Sequence, residues 1–307
     1  MFGGTARLMP LPETIVTRTH LILFVFVFLW ATGFIGAALS MPHAEPMSFL
    51  ALRFGIVAVL FGAITMMTGT TWPRGLDLIH PIVAGALIHG LYLGGVFWAI
   101  DKGLPSALSA MIVGFNPLIV ALFAGAFLGE RVTLRVWLAL FAGFGGLMMV
   151  LSPGLYDVGT GINPANIAAS IVSVVALSLG TIYQKRFATT IDLKSATALQ
   201  YVGAFLPVFA MALFSETFAF NWTGELIFAL LWLIFALSFL AVLLLMILIR
   251  DGEVSKISSY FFLVPGVSAV LAWWLFGDTL NLIQMLGMVI CAVAVAIAVR
   301  QPASGSA

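Results

Sequence analysis

Residues 226–248 read LIFALLWLIFALSFLAVLLLMIL, without a charge or a proline. As a helix rising about 1.5 Å per residue, such a run crosses roughly 30 Å of hydrocarbon. Ten apolar runs follow one another, near 20–39, 46–68, 78–98, 104–128, 133–151, 165–184, 195–214, 226–248, 256–276 and 281–299. Inside a bilayer no water satisfies the backbone, so only helices or closed barrels cross it, and runs of this length select helices. The predicted fold is an all-α integral membrane protein with ten transmembrane helices. Charged residues make up only 8% of the chain, against about 25% in soluble domains. The connecting stretches are too short to hold a soluble domain, and Pro, Gly, Asn and nearly all the charges gather there.

Residues 1–19 carry Arg7 and Arg18, with no small-residue cleavage site after a short apolar core, so the first run is expected to be a retained helix. A single cysteine, Cys291, excludes an internal disulfide framework and a zinc cluster. The net charge of +1, spread over loops, gives nothing for nucleic acid to bind. No metal-ligand spacing and no phosphate-cradling Gly-rich loop occurs, so no cofactor, no metal and no catalytic residue is expected.

Ten crossings put both termini on one side. The loops of that side hold eleven of the 13 Lys and Arg residues, and the other side holds only Lys102. By the positive-inside bias the termini are cytoplasmic, in the cell (inner) membrane. The remaining basic residue, Arg53, lies about seven residues into the second run, and the sequence reading is an anchor that snorkels to the interface or meets a carbonyl.

The segment NPLIVALFAGAFLGE, 116–130, returns as VPGVSAVLAWWLFGD, 264–278: Pro117 answers to Pro265, Gly129 to Gly277 and Glu130 to Asp278, all at an offset of 148. Five crossings separate the copies, so the second is upside down, and its GDTLNL loop has lost the basic residues of GERVTLR. The chain reads as two inverted five-helix repeats, the architecture by which a central site is exposed to either side in turn. Pro117 and Pro265 fall within runs four and nine, where each removes a backbone donor, and are expected hinges. The Gly-acid pairs are expected to end helices in tight turns.

The stretch WAIDKGLPSALSAMIVGFNPLIVALFAGAFLGERVTLRVWLALFAGFGGLMMVL resembles the second half of an EamA domain, with its Pro in the fourth helix and G-E-R-x-T before the fifth. Residues 256–300 resemble a more diverged copy, with Asp278 for the usual Glu and Leu280-Asn281 in place of the Thr-bearing turn. The resemblance is to the drug/metabolite transporter superfamily, and within it to ten-helix exporters of the YddG aromatic amino acid type. It implies a cytoplasmic segment 1–19, EamA-like repeats at 20–152 and 165–300, an extracytoplasmic linker 153–164 and a cytoplasmic tail 301–307. It also implies a secondary transporter of small metabolites, and leaves oligomeric state open.

All twelve acidic residues fall in loops or near run ends, which disfavours a cation or proton antiporter with a buried carboxylate. The expected mode is facilitated diffusion, with His89 the only buried side chain able to exchange a proton near neutral pH. His89 and Tyr92 stand at i and i+3 near the middle of run three and read as one polar face, whereas their mates at the offset are Leu237 and Leu240. Trp30 against Ser178 and Asn116 against Val264 break the symmetry in the same way. His89, Tyr92, Trp30, Asn116 and Ser178 are therefore the candidate substrate contacts, a neutral and aromatic lining suited to a zwitterion or neutral amphiphile. Tyr183, Tyr260, Trp273 and Trp274 lie nearer run ends and read as interfacial aromatics. A multidrug or nucleotide-sugar transporter, and more remotely a membrane-embedded lipid enzyme, are the alternatives.

Overall fold

The computed structural model describes residues 13–104, 106–152, 161–276 and 280–299, all helical apart from turns and one isolated bridge between Ala44 and Phe220. Nine spans among them are long and apolar enough to cross a membrane, and Glu13–Ser40, with an apolar stretch at Ile22–Ala37, supplies the first of ten. After it come the second span, Pro46–Met67, the third, Leu76–Asp101, and the fourth in two pieces, Ser106–Val113 and Asn116–Leu128. The fifth is Leu134–Leu151, the sixth Pro164–Phe187, the seventh Leu193–Ser215 and the eighth Gly224–Asp251. The ninth is divided into Val254–Ser259, a 3₁₀ turn Tyr260–Phe262 and Leu263–Phe276, and the tenth is Leu282–Val299.

Start signals agree with the local chemistry. Asn163 and Asn166 form a reciprocal capping box ahead of the sixth span, Asp192 accepts from the Lys194 N–H, and the Thr223 hydroxyl accepts from the Leu226 N–H. Apolar side chains such as Val59, Phe214 and Leu138 point outward, where lipid replaces water. Trp273 and Trp274 stand exposed near the end of the ninth span, as interfacial aromatics do, whereas Tyr183 turns inward to His80, 2.8 Å from its Nδ1.

The spans pack across the repeat rather than within it. The second lies against the seventh and the fifth against the tenth, each pair being mates at the offset of 148. The sixth span packs on the third and fourth, and the first packs on the eighth and ninth. Each repeat thus lends its first helix to the other, the packing expected of two copies of opposite topology related by a pseudo-two-fold axis.

The fourth and ninth spans are both interrupted just before their prolines. At Gly114 and Phe115 the α-helix stops, with Phe115 N–H reaching only to the Ile112 carbonyl at 3.1 Å, and Asn116–Pro117 open a new helix. Pro265 follows the 3₁₀ turn and sits in the first turn of Leu263–Phe276. In a first turn the missing proline N–H costs nothing, so each proline starts a half-helix. The third and eighth spans carry a different interruption, π-helix at Ala86–Leu91 and at Leu233–Ala241. These positions are repeat mates, and a π segment inside a long helix commonly marks a functional site.

Gly129 ends the fourth span in the left-handed region, φ 71°, a turn that glycine takes without strain. The matching Gly277 and Asp278 lie outside the described residues.

Candidate substrate site at the centre of the bundle

The third and seventh spans meet at backbone distance because glycines face carbonyls: a Cβ on Gly85 would run into the Gln200 carbonyl, and one on Gly203 into that of Ile82. A Cβ on Gly90 would stand 2.8 Å from Pro207 Cγ. Small residues allow this approach in membranes, where packing and hydrogen bonds hold helices together. The approach sets Gln200 and Tyr201 beside the π segment that carries His89. The His89 ring stacks on Tyr201, with centroids 5.1 Å apart and planes at 5°, and Phe54 of the second span closes the third side at 5.8 Å from Tyr201.

Arg53 enters the same cluster from the second span. It is 5% exposed, and its Nε and Nη2 donate to Ser238 Oγ at 3.2 and 3.1 Å. Ser238 lies in the eighth-span π segment, and the Tyr201 hydroxyl stands 3.5 Å from its carbonyl. The snorkelling anchor read from the sequence is therefore corrected: at about 10 Å below the end of its helix the side chain finds a hydroxyl inside the bundle, with no need to reach water. Among the described residues Arg53 makes no ion pair, for the three that exist join His43 to Glu225, Lys102 to Asp101 and Lys256 to Glu253 near the span ends. His89 Nε2 and both amide atoms of Gln200 are buried without a hydrogen-bond partner, although His89 and Gln200 interact. Orphaned buried polar atoms are uncommon and ask for a reason.

The other sequence-predicted residues lie elsewhere. Tyr92 packs with Ala84, Ile88 and Leu177 against the sixth span, whereas the His89 ring stacks on Tyr201 of the seventh. The two do not share a face, because the wider i→i+5 turn between them rotates Tyr92 out of the α-helical i, i+3 relation. Asn116 and Ser178 do meet: Ser178 Oγ is 2.9 Å from Asn116 Oδ1 and 2.7 Å from the Val174 carbonyl, a buried link between the fourth and sixth spans. Trp30, the mate of Ser178, makes edge contact with Phe261 at 5.3 Å and a tilted contact with Phe26. The polar link of one half thus has an aromatic link in its place in the other.

Gln200, Tyr201 and Ser238 are not among the residues that the sequence pattern singles out, and Arg53 reads there as an anchor. One signal was available: at the offset of 148 Arg53 answers to Tyr201, Gln200 to Leu52 and Ser238 to Gly90, so three further positions break the repeat symmetry toward polarity.

Carboxylates work at the rims. Glu130 accepts from Val254 N–H at 2.8 Å, from Ser255 N–H at 3.1 Å and from Ser255 Oγ at 2.6 Å, capping the ninth span from the end of the fourth. On the opposite face Glu216 caps the second span from the seventh, through Met47 and Ser48. Next to it the Ala219 N–H, 2.9 Å from Glu45, holds that carboxyl below its usual range, aided by Thr217. Lys185 Nζ donates to the carbonyls of Ile249, Arg250 and Gly252, closing the eighth span.

Comparison with known proteins follows the same architecture. The family model of the EamA-like transporter family matches residues 17–152 and again 165–300. The chain is 26% identical over 281 residues to the "uncharacterized transporter YvbV" of Bacillus subtilis, covering 89% of each. It is 23% identical over 275 residues to the "uncharacterized inner membrane transporter YedA" of Escherichia coli K12, covering 89% of this chain and 88% of that one. A solved crystal structure superposes with a TM-score of 0.78 at 19% identity, over 92% of this chain and 96% of its own, a likeness of fold.

Proposed function

Given that this chain belongs to the EamA-like transporter family, we propose that it exports small amino-acid-like metabolites, aromatic ones included, by alternating access around the Arg53–His89–Tyr201–Ser238 cluster. The carrying observation is this polar and aromatic centre within the membrane-length spans, with orphaned donors and acceptors and with no carboxylate in it among the described residues. Such a centre suits a zwitterion held by hydrogen bonds and a ring held by stacking. The repeats 20–152 and 165–300 rock against each other, and the interrupted fourth and ninth spans bend at Pro117 and Pro265. Asn116 and Ser178 line the approach on one side and Trp30 on the other. The basic loops keep both termini in the cytoplasm of the cell that carries the protein in its inner membrane.

Proteoliposomes loaded with a panel of labelled amino acids test this reading, with efflux and exchange followed over time. Efflux of one or more amino acids is expected. Exchange of nucleotide sugars with no amino acid moved overturns it. Arg53 gives that second reading a specific support, since an anion exchanger needs a cation at its centre; a single guanidinium against the two charges of a diphosphate favours the amino acid.

A further inference from the structure

We infer that Arg53 seats a carboxylate of the transported molecule and that Ser238 holds the guanidinium ready for it; the inference rests on the central cluster being the transport site. A guanidinium has five N–H donors in a planar fork and keeps its charge in proteins. Here Nε and Nη2 converge on a single neutral oxygen, Ser238 Oγ, and Nη1 makes no hydrogen bond among the described residues. A charge buried in a membrane protein is costly and is found paired or functional. Arg53 has no acid to pair with among the described residues, only the π face of Phe54, 5.7 Å from Cζ, and the neighbouring Tyr201. A substrate carboxylate has the charge and shape to meet such a guanidinium, for it accepts two parallel N–H bonds from the fork.

The surroundings fit the rest of an α-amino acid. Gln200 is fully buried beside His89, and its amide atoms and His89 Nε2 find no partner in good hydrogen-bond geometry. Neutral acceptors of this kind can take an ammonium without a counter-charge of their own. Arg53 and His89 flank the same ring, Phe54, whose centroid is 5.7 Å from Arg53 Cζ and 6.5 Å from the His89 ring. The stacked His89–Tyr201 pair and Phe54 offer an aromatic wall. The π segments matter because they place Ser238 and His89 at this level in the two halves.

Counterflow of labelled phenylalanine by the full chain in proteoliposomes, with competitors added, tests the assignment. The competitors are 3-phenylpropionate, which keeps the carboxylate and lacks the amine, and phenylalaninamide, which keeps the amine and has a neutral carboxamide in place of the carboxylate. Inorganic phosphate and a nucleotide sugar serve as other anions. The expected result is competition by 3-phenylpropionate and none by the amide. Arg53→Gln is expected to remove the preference for acid over amide, a loss of about 10- to 150-fold, as for one charge-assisted contact. Arg53→Lys is expected to keep the preference at reduced affinity. Ser238→Ala, which spares the charge, is expected to weaken 3-phenylpropionate binding a few-fold, and it keeps the test informative if Arg53→Gln does not fold. A wild-type protein for which amide competes as well as acid overturns the carboxylate seat while leaving amino acid transport standing. Competition by phosphate or nucleotide sugar alone overturns it as well. Thermal stabilisation by 3-phenylpropionate that Arg53→Gln abolishes, without phenylalanine movement, supports the seat and defeats the transport reading. No stabilisation and no competition by any carboxylate defeats the seat.

Discussion

Arg53 and Tyr201 occupy the same position in the two halves of the chain, 148 residues apart, and both reach Ser238: Arg53 Nη2 to its hydroxyl at 3.1 Å and the Tyr201 hydroxyl toward its carbonyl at 3.5 Å. Inverted symmetry brings mates face to face across the axis, so one position of the repeat carries a charge in the second span and an aromatic ring in the seventh, both turned to Ser238.

The breaks before Pro117 and Pro265 are expected to bend during transport. Pro117→Ala and Pro265→Ala each restore a backbone donor, and the double variant is expected to slow phenylalanine counterflow several-fold while leaving the detergent-solubilised protein folded. Unchanged rates, with circular dichroism also unchanged, would mean that the prolines only start half-helices.

Glu130 stabilises the first turn of the ninth span from the neighbouring half of the protein. Glu130→Gln keeps one acceptor oxygen but loses the charge and the bidentate grip, at an expected cost of about 1 kcal/mol. A protein this large should then melt a few degrees lower. Differential scanning fluorimetry in detergent checks this, and an unchanged melting temperature would show that the cap contributes nothing net.

Gly85 allows the third span to lie against the Gln200 carbonyl. Gly85→Ala pushes backbone against backbone where no side chain can yield, so a loss of about 1–3 kcal/mol is expected from overpacking. The same substitution displaces Gln200 and the stacked His89–Tyr201 pair, so transport should fall with stability. Gly62→Ala, at a position with no neighbour within 4 Å of the new methyl group, is the control and should be silent in both measurements.

A pH gradient alone is expected not to concentrate substrate in proteoliposomes, because no carboxylate sits beside Arg53 and His89 among the described residues to carry a proton in exchange. His89→Gln keeps a buried polar side chain and is expected to weaken binding modestly without changing this outcome. Uphill accumulation driven by the gradient in the unmutated protein, and its loss in His89→Gln with exchange spared, would assign proton coupling to His89.

Length and charge in the sequence were enough for ten helices, because a bilayer leaves a chain no other way to satisfy its backbone over so many apolar runs. The offset of 148 and the odd number of crossings were enough for two inverted repeats. What the sequence could not carry was which faces meet. Helical spacing put His89 and Tyr92 together, and the π turn at Ala86–Leu91 parted them, since an extra residue per turn leaves no mark in an apolar run. Spacing from the helix end makes Arg53 an anchor, and only the packing of the second span against the seventh, with the eighth-span Ser238 brought within 3.1 Å, makes it part of the candidate site. Whether a segment can span the membrane depends on that segment's own length and apolarity, and sequence determines it; the candidate site is a relation among four segments separated by up to 185 residues, and only the close approach of their backbones decides it.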